Sequence, residues 1–278
     1  MKTIEYLLWN NCPNNCLFCN MKDKYQSNEE DKLKAIKLVK ENIKERKERF
    51  NVLLVGGEIF MGLTNRLKEK LIDLYHEIFR NDLINIIYIN TNLLYYIPDC
   101  LEKILDKAPI ERIHLTTSDD IQGRFKTEND FKLFFDNIDF LRFKYPKLEI
   151  IVNTILTRYF YNFLLSGKYN IKEYCNKYKV KVNIIPYIDI NNIEELKLTK
   201  KEIIKALLIL KEQYPEWFEG YIDIMTKKND MELLQYSNKT KSLMDVTTNI
   251  GNCGHSTNFT LSIKNSNKCF ACLLEEMR

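Results

Sequence analysis

Short apolar stretches alternate along this chain with longer stretches in which apolar residues recur at helical spacing. Short runs rich in β-branched and aromatic residues favour strands, and apolar positions three or four residues apart favour helices with one buried face. The alternation repeats six times, which is typical of βα units around a parallel sheet. The predicted strands are residues 4–9, 52–55, 84–89, 112–116, 149–155 and 180–185.

Capping-box spacing marks the start of three of the predicted helices. The pairs are Ser27 with Glu30, Thr127 with Asp130 and Thr199 with Glu202. An apolar stripe from Leu67 to Ile78 predicts another helix, and weaker patterns predict helices at 98–107 and 170–178. After Gln213 the alternation stops, and a short helical stretch is expected near residues 230–235.

Parallel βα units connect right-handedly, so six of them predict a curved, incomplete α/β barrel whose loops gather at the carboxyl ends of the strands. Catalytic groups of such folds lie at that end. We therefore divide the chain into a partial barrel at 1–213 and a small C-terminal extension at 214–278.

Composition supports a globular protein. Of the 278 residues, 45% are hydrophobic and 29% are charged, which argues against disorder. The net charge is +4, and lysines are mixed with acidic residues rather than gathered on a basic face, so a nucleic-acid partner is not favoured. We find no signal-peptide pattern and no apolar run of membrane-spanning length, and we expect a cytoplasmic protein without a membrane contact.

Six of the eight cysteines form two tight clusters near the termini. Cys12, Cys16 and Cys19 have C-x3-C-x2-C spacing on an Asn- and Pro-rich loop directly after the first strand. Three thiolates there can converge on one soft metal centre and leave a four-iron cluster one ligand short, whereas zinc would need a ligand from elsewhere. The isolated Cys100 and Cys175 are interpreted as packing residues.

The second strand ends in Gly56-Gly57-Glu58. Glycines let a backbone approach a ligand closely, and a carboxylate can hold an ammonium group. A ligand site is therefore expected beside the cysteine loop.

These motifs resemble those of the radical S-adenosylmethionine (SAM) superfamily, whose hallmark is this cysteine spacing with an aromatic residue before the last cysteine, here Phe18. The resemblance covers roughly residues 1–213 and implies a TIM-like (β/α)6 partial barrel. It also implies that Cys12, Cys16 and Cys19 ligate a [4Fe-4S] cluster whose open iron binds SAM. One electron would then cleave SAM to methionine and a 5'-deoxyadenosyl radical, which takes hydrogen from the substrate.

The resemblance also implies a SAM-binding set. Gly56-Gly57-Glu58 is similar to the segment that binds the methionine amino group. Thr91-Asn92 is similar to a Thr-Asn-Gly element, but Leu93 stands in place of the glycine. The full implied set is Phe18, Gly56, Gly57, Glu58, Thr91, Asn92, Ser118 and Asn153.

The second cysteine cluster resembles a shortened auxiliary-cluster (twitch or SPASM-like) domain. Cys253, Cys269 and Cys272 would hold a second [4Fe-4S] cluster there. With His255 they could instead form a Cys3His zinc site that folds a small appendage.

Members with such extensions often modify peptides, so the expected substrate is a peptide or a protein side chain. The alternatives are a small-molecule or nucleotide substrate, or a non-catalytic zinc-binding protein. An electron donor such as flavodoxin or ferredoxin is implied as a partner. No catalytic side chain is assigned; His76 is interpreted as a surface or packing residue and His114 as a satisfied core residue.

Overall fold

The computed structural model describes residues 2–14, 16–19, 27–95, 97–119, 124–125, 127–187, 193–218 and 231–235. All six predicted strands are confirmed, with bounds that differ from the predicted ones by at most three residues at either end. They are β1 (Lys2–Trp9), β2 (Phe50–Gly56), β3 (Ile84–Asn90), β4 (Ile113–Asp119), β5 (Glu149–Leu156) and β6 (Lys181–Pro186).

The helices follow the strands in the expected alternation. They are α1 (Glu29–Glu45), α2 (Asn65–Phe79), α3 (Asp99–Leu105), α4 (Glu128–Lys144), α5 (Arg158–Leu165), α6 (Ile171–Tyr178) and α7 (Lys200–Gln213). The capping boxes at Thr127 and Thr199 are confirmed. The box predicted for α1 is wrong by one residue, because Asn28 and Asp31 have the same spacing as Ser27 and Glu30 and form the cap instead.

Every described strand pairs in parallel, in the order β6-β5-β4-β3-β2-β1 followed by a seventh strand, β7 (Met231–Gln235). The prediction of a helix near 230–235 is wrong. The segment holds good helix formers, yet its backbone pairs with the edge of β1 from Thr3 to Leu7, and this tertiary pairing overrides local propensity. A strand from beyond Gln213 thus joins the sheet.

The sheet has two distinct faces. Since β1 to β6 lie side by side in chain order, right-handed crossovers place their helices on one face. On that face the hydroxyl of Tyr6 donates to Oδ1 of Asn42 in α1 at 2.6 Å, and the residues of β4 that point the same way, such as Leu115, are buried. We call the opposite face the inner face.

The hydrophobic core lies between the sheet and the helices. Cys100 and Cys175 belong to this core, with exposed fractions of 1% and 9%, which confirms their interpretation as packing residues. Among the described residues no helix is both long enough and apolar enough to cross a membrane.

Candidate functional site

The cysteine loop begins where β1 ends, at the carboxyl edge of the sheet. Cys12, Cys16 and Cys19 are partly buried there and form no disulfide, and the amide of Cys19 donates to the carbonyl of Cys16 at 3.1 Å. Phe18 is also partly buried. In the part of the chain described, no three His, Cys, Asp or Glu side chains are arranged to hold a metal ion. The three cysteines therefore lie on one loop, but their thiols are not grouped as metal ligands in the described structure.

Gly56 and Gly57 lie against the start of this loop. The amide of Gly57 donates to the carbonyl of Trp9 at 2.9 Å, and the amide of Glu58 donates to that of Asn11 at 2.8 Å. A Cβ on Gly56 would lie 2.3 Å from the Trp9 oxygen, and one on Gly57 would lie 2.3 Å from the Asn11 oxygen. The close approach expected of these glycines is thus made to the backbone of the cysteine loop.

Glu58 is 2% exposed, and its carboxylate turns toward the loop that follows β3. It accepts hydrogen bonds from the hydroxyl of Thr91 at 3.1 Å, the amide of Asn92 at 2.6 Å and the amide of Phe60 at 3.3 Å. Burial raises the pKa of Glu58, although these donors and Arg124 favour the charged form. Glu58 therefore connects the ends of β2 and β3.

The segment after β3 has an unusual backbone. Leu93 has a φ of +53°, the left-handed region that glycine normally fills, and it stands where the resemblance calls for glycine. The side-chain amide of Asn137 in α4 donates to the carbonyls of Leu93 at 2.9 Å and Tyr95 at 2.7 Å. Thr91, Asn92 and Glu58 are thereby brought together beside the cysteine loop.

Arg124, in the segment after β4, is a site residue that no sequence motif revealed. It is 8% exposed, and its Nη1 donates to the carbonyl of Ser118 at 2.6 Å. Burial lowers the pKa of Arg124, while the charges of Cys16, Glu58 and Cys12 oppose that shift. A buried cation thus lies near two of the three thiols. No short pattern marks such an arginine, because its position depends on a tertiary contact.

Ser118 and Asn153 lie on the inner face, on β4 and β5. They are register partners, and Asn153 accepts a hydrogen bond from Asn183 on β6 at 3.2 Å. Next to them Thr116 donates to Oδ1 of Asn90 at 3.2 Å. Polar side chains therefore line the inner face toward the carboxyl ends of β3 to β6.

Several buried polar atoms near these strand ends lack a hydrogen-bond partner. Among the described residues these include Oδ1 of Asn10, Nδ2 of Asn92 and Nε of Arg124. Each such atom costs about 1–3 kcal/mol when left unsatisfied. Two donors and one acceptor fit a ligand that carries both a carboxylate and an ammonium group.

Deeper on the inner face, one register row crosses five strands and carries Glu5, Leu53, Tyr88, His114 and Glu149. Glu149 pairs with Lys181 and lies 3.6 Å from Nδ1 of His114. Burial raises the pKa of Glu5 to about 7, and no charged group of the described chain offsets that effect. Glu5 is thus a carboxyl group kept in an unfavourable environment.

We expect Glu5→Gln to stabilise the protein above pH 7 by about 3 kcal/mol and to have little effect near pH 4. The folded-state pKa lies above the unfolded value, so the wild type loses stability as the pH rises from about 4.5 to 7. Urea unfolding of both proteins across this pH range measures the difference. An equal effect at both ends of the range would contradict a raised pKa.

The C-terminal residues Cys253, Cys269, Cys272 and His255 lie outside the described residues. Their role as cluster or zinc ligands, and the division at residue 213, stay predictions.

No protein-family model matches this chain, and no curated protein matches it. Solved structures do share its fold. One is native anSMEcpe with bound AdoMet and Cp18Cys peptide, at a TM-score of 0.60 and 17% identity over 81% of this chain and 65% of that one. Another is Streptococcus suis SuiB bound to precursor peptide SuiA, at a TM-score of 0.52 and 13% identity over 84% and 48%.

A third is HydG, a maturase of the [FeFe]-hydrogenase, at a TM-score of 0.50 and 12% identity over 84% of this chain and 56% of that one. The chain spans about two thirds of anSMEcpe and about half of SuiB. These similarities define the fold of this protein as the open parallel α/β sheet of those structures.

Proposed function

We propose that the chain is a radical SAM enzyme in which Cys12, Cys16 and Cys19 hold a [4Fe-4S] cluster and the neighbouring strand ends bind SAM. The observation that carries this proposal is that Gly57 and Glu58 donate one backbone hydrogen bond to Trp9 at the end of β1 and one to Asn11 in the cysteine loop. When bound, the cluster would supply the electron that cleaves SAM to methionine and a 5'-deoxyadenosyl radical, which abstracts hydrogen from the substrate.

The residues present fit these groups chemically. Three thiols on one loop, none of them in a disulfide, are the ligand type of iron–sulfur clusters. Because they are not yet aligned as ligands, cluster binding would include a rearrangement of the loop. Arg124 would offset part of the negative charge that three thiolates and a cluster bring to this edge of the sheet.

The unsatisfied polar atoms suit the amino-acid part of SAM. Nε of Arg124 and Nδ2 of Asn92 would donate to the carboxylate, and Oδ1 of Asn10 would accept from the ammonium group. Glu58 would act mainly by holding Thr91 and Asn92 in place, because its carboxylate already accepts three donors. Phe18, Gly56, Gly57, Ser118 and Asn153 complete the proposed set.

We favour a peptide or protein side chain as substrate, because two proteins with this fold were solved with peptides bound. The alternative is a small molecule or nucleotide. In either case the substrate would face the polar side chains of the inner face.

The proposal also includes a second metal site and an electron donor. Cys253, Cys269 and Cys272 would hold a second cluster, or they would bind zinc together with His255. The electron donor would be a flavodoxin or a ferredoxin. The absence of a disulfide among the described cysteines of the cluster site suits a cytoplasmic, reducing compartment.

Anaerobic reconstitution with iron and sulfide tests the cofactor. We expect about four iron and four sulfide ions per chain at the N-terminal site, and more if the C-terminal site also holds a cluster. Substitution of Cys12, Cys16 and Cys19 should remove only the iron and sulfide of the N-terminal site. Near-stoichiometric zinc without iron or sulfide would contradict the enzyme and favour a zinc-binding protein.

A further inference from the structure

The described residues between β3 and α3, 91–95 and 97–98, are here called the β3 loop and are fixed from two sides. Glu58 accepts from the amide of Asn92 at 2.6 Å, and Asn137 of α4 donates to the carbonyls of Leu93 and Tyr95. Asn137 is 5% exposed, so these two bonds are shielded from water. A buried amide in this position fixes the course of the backbone.

Leu93 shows how strongly the β3 loop is constrained. A left-handed conformation is unfavourable for a residue with a Cβ, because the Cβ approaches the following carbonyl oxygen too closely. Leu93 nevertheless adopts a φ of +53° and is 2% exposed. Such strain persists only where the surroundings over-determine the conformation, here through Asn137 and Glu58.

The strained turn directs Tyr95 to the cysteine loop. The hydroxyl of Tyr95 donates to Oδ1 of Asn14 at 3.0 Å, and Asn14 lies between Cys12 and Cys16. Burial, followed by the negative charges of Cys12 and other neighbouring groups, raises the pKa of Tyr95. The phenol thus stays protonated and remains a hydrogen-bond donor.

We propose that Tyr95 is a positioning residue, which holds the cysteine loop in a conformation ready to receive its cluster while Asn137 fixes the backbone of Tyr95. The proposal rests on the proposed function for the identity of the cluster. It extends that function by assigning a residue from the β3 loop to the folding of a loop 81 positions earlier in the chain.

The first test compares Tyr95→Phe with wild-type protein after reconstitution. Loss of one hydrogen bond worth about 1 kcal/mol predicts roughly fivefold faster loss of iron to a chelator, with the midpoint of thermal unfolding lowered by only a few degrees. The matched control is Tyr145→Phe, which removes a phenol that donates to Asp106 at 2.6 Å. It should lose iron at the wild-type rate. Iron loss from Tyr95→Phe at the wild-type rate would overturn the proposal.

The second test needs no cluster. In metal-free protein, Tyr95→Phe should let iodoacetamide alkylate Cys12, Cys16 and Cys19 several-fold faster, measured by mass spectrometry against the buried Cys100 and Cys175. Asn137→Leu should act in the same direction, because the backbone of Tyr95 loses its anchor. If Tyr95→Phe does not fold, Asn14→Ala breaks the same bond from the other side.

These outcomes separate the two proposals. Failure of the wild type to bind iron and sulfide would contradict the proposed function, yet the alkylation rates would still decide whether Tyr95 holds the loop. Unchanged alkylation in Tyr95→Phe and Asn14→Ala would overturn the positioning role even if the wild type binds a cluster.

Discussion

Replacement of Cys12, Cys16 and Cys19 by alanine is expected to reduce cleavage of SAM to the level of a protein-free control. The three thiols lie on one loop at the carboxyl edge of the sheet, and in the proposed function they hold the cluster that supplies the electron for cleavage. The measurement is the amount of 5'-deoxyadenosine released after anaerobic reconstitution and chemical reduction.

Two controls make this result specific. Cys100→Ala with Cys175→Ala removes two buried thiols and should retain cleavage, since both belong to the hydrophobic core. Alanine at Cys253, Cys269 and Cys272 should leave uncoupled cleavage detectable, because the proposed SAM site does not need them. Undiminished cleavage of SAM after replacement of Cys12, Cys16 and Cys19 would refute their assignment as ligands of the cluster.

Gly57→Ala is expected to destabilise the protein by about 3 kcal/mol and to prevent cluster binding. The added Cβ would lie 2.3 Å from the Asn11 oxygen and 2.6 Å from the Asn10 oxygen, and both belong to backbone that has little room to move. Relief of this contact would separate the cysteine loop from the end of β2 and break the bonds that Gly57 and Glu58 donate. Denaturant unfolding and the iron content measure the two effects.

Gly62→Ala is the matched control. A Cβ at Gly62 meets no atom within 4 Å, and the only expected cost is about 1 kcal/mol for its φ of +62°. This variant should bind iron as the wild type does. Equal effects of the two substitutions would mean that the close approach at Gly57 does not organise the site.

The sequence predicts the fold where signals are local. Strands of β-branched residues, the capping boxes at Thr127 and Thr199, and the apolar stripes of the helices all depend on spacings of a few residues. Helix α5 was not predicted, because Thr157 caps it without an acidic partner three residues later. Strand β7 was assigned wrongly because Met231–Gln235 becomes extended only by pairing with β1.

The candidate site divides in the same way. The spacing of the cysteines and the Gly56-Gly57-Glu58 motif are visible in the chain, and so is their placement after the first two strands. The residues that surround those motifs in the folded protein cannot be identified from the sequence. Arg124 and Asn137 look like ordinary polar residues until the fold brings them beside the β3 loop and the thiols.

Six βα units and a soft-ligand loop after the first strand can thus be read from the chain alone, because both follow from short-range patterns. The folded protein was needed to show that the glycines pack against the cysteine loop, that Glu58 joins two strand ends and that Tyr95 reaches Asn14. Each of these contacts joins residues far apart in the chain, and their geometry exists only once the parallel strands are aligned.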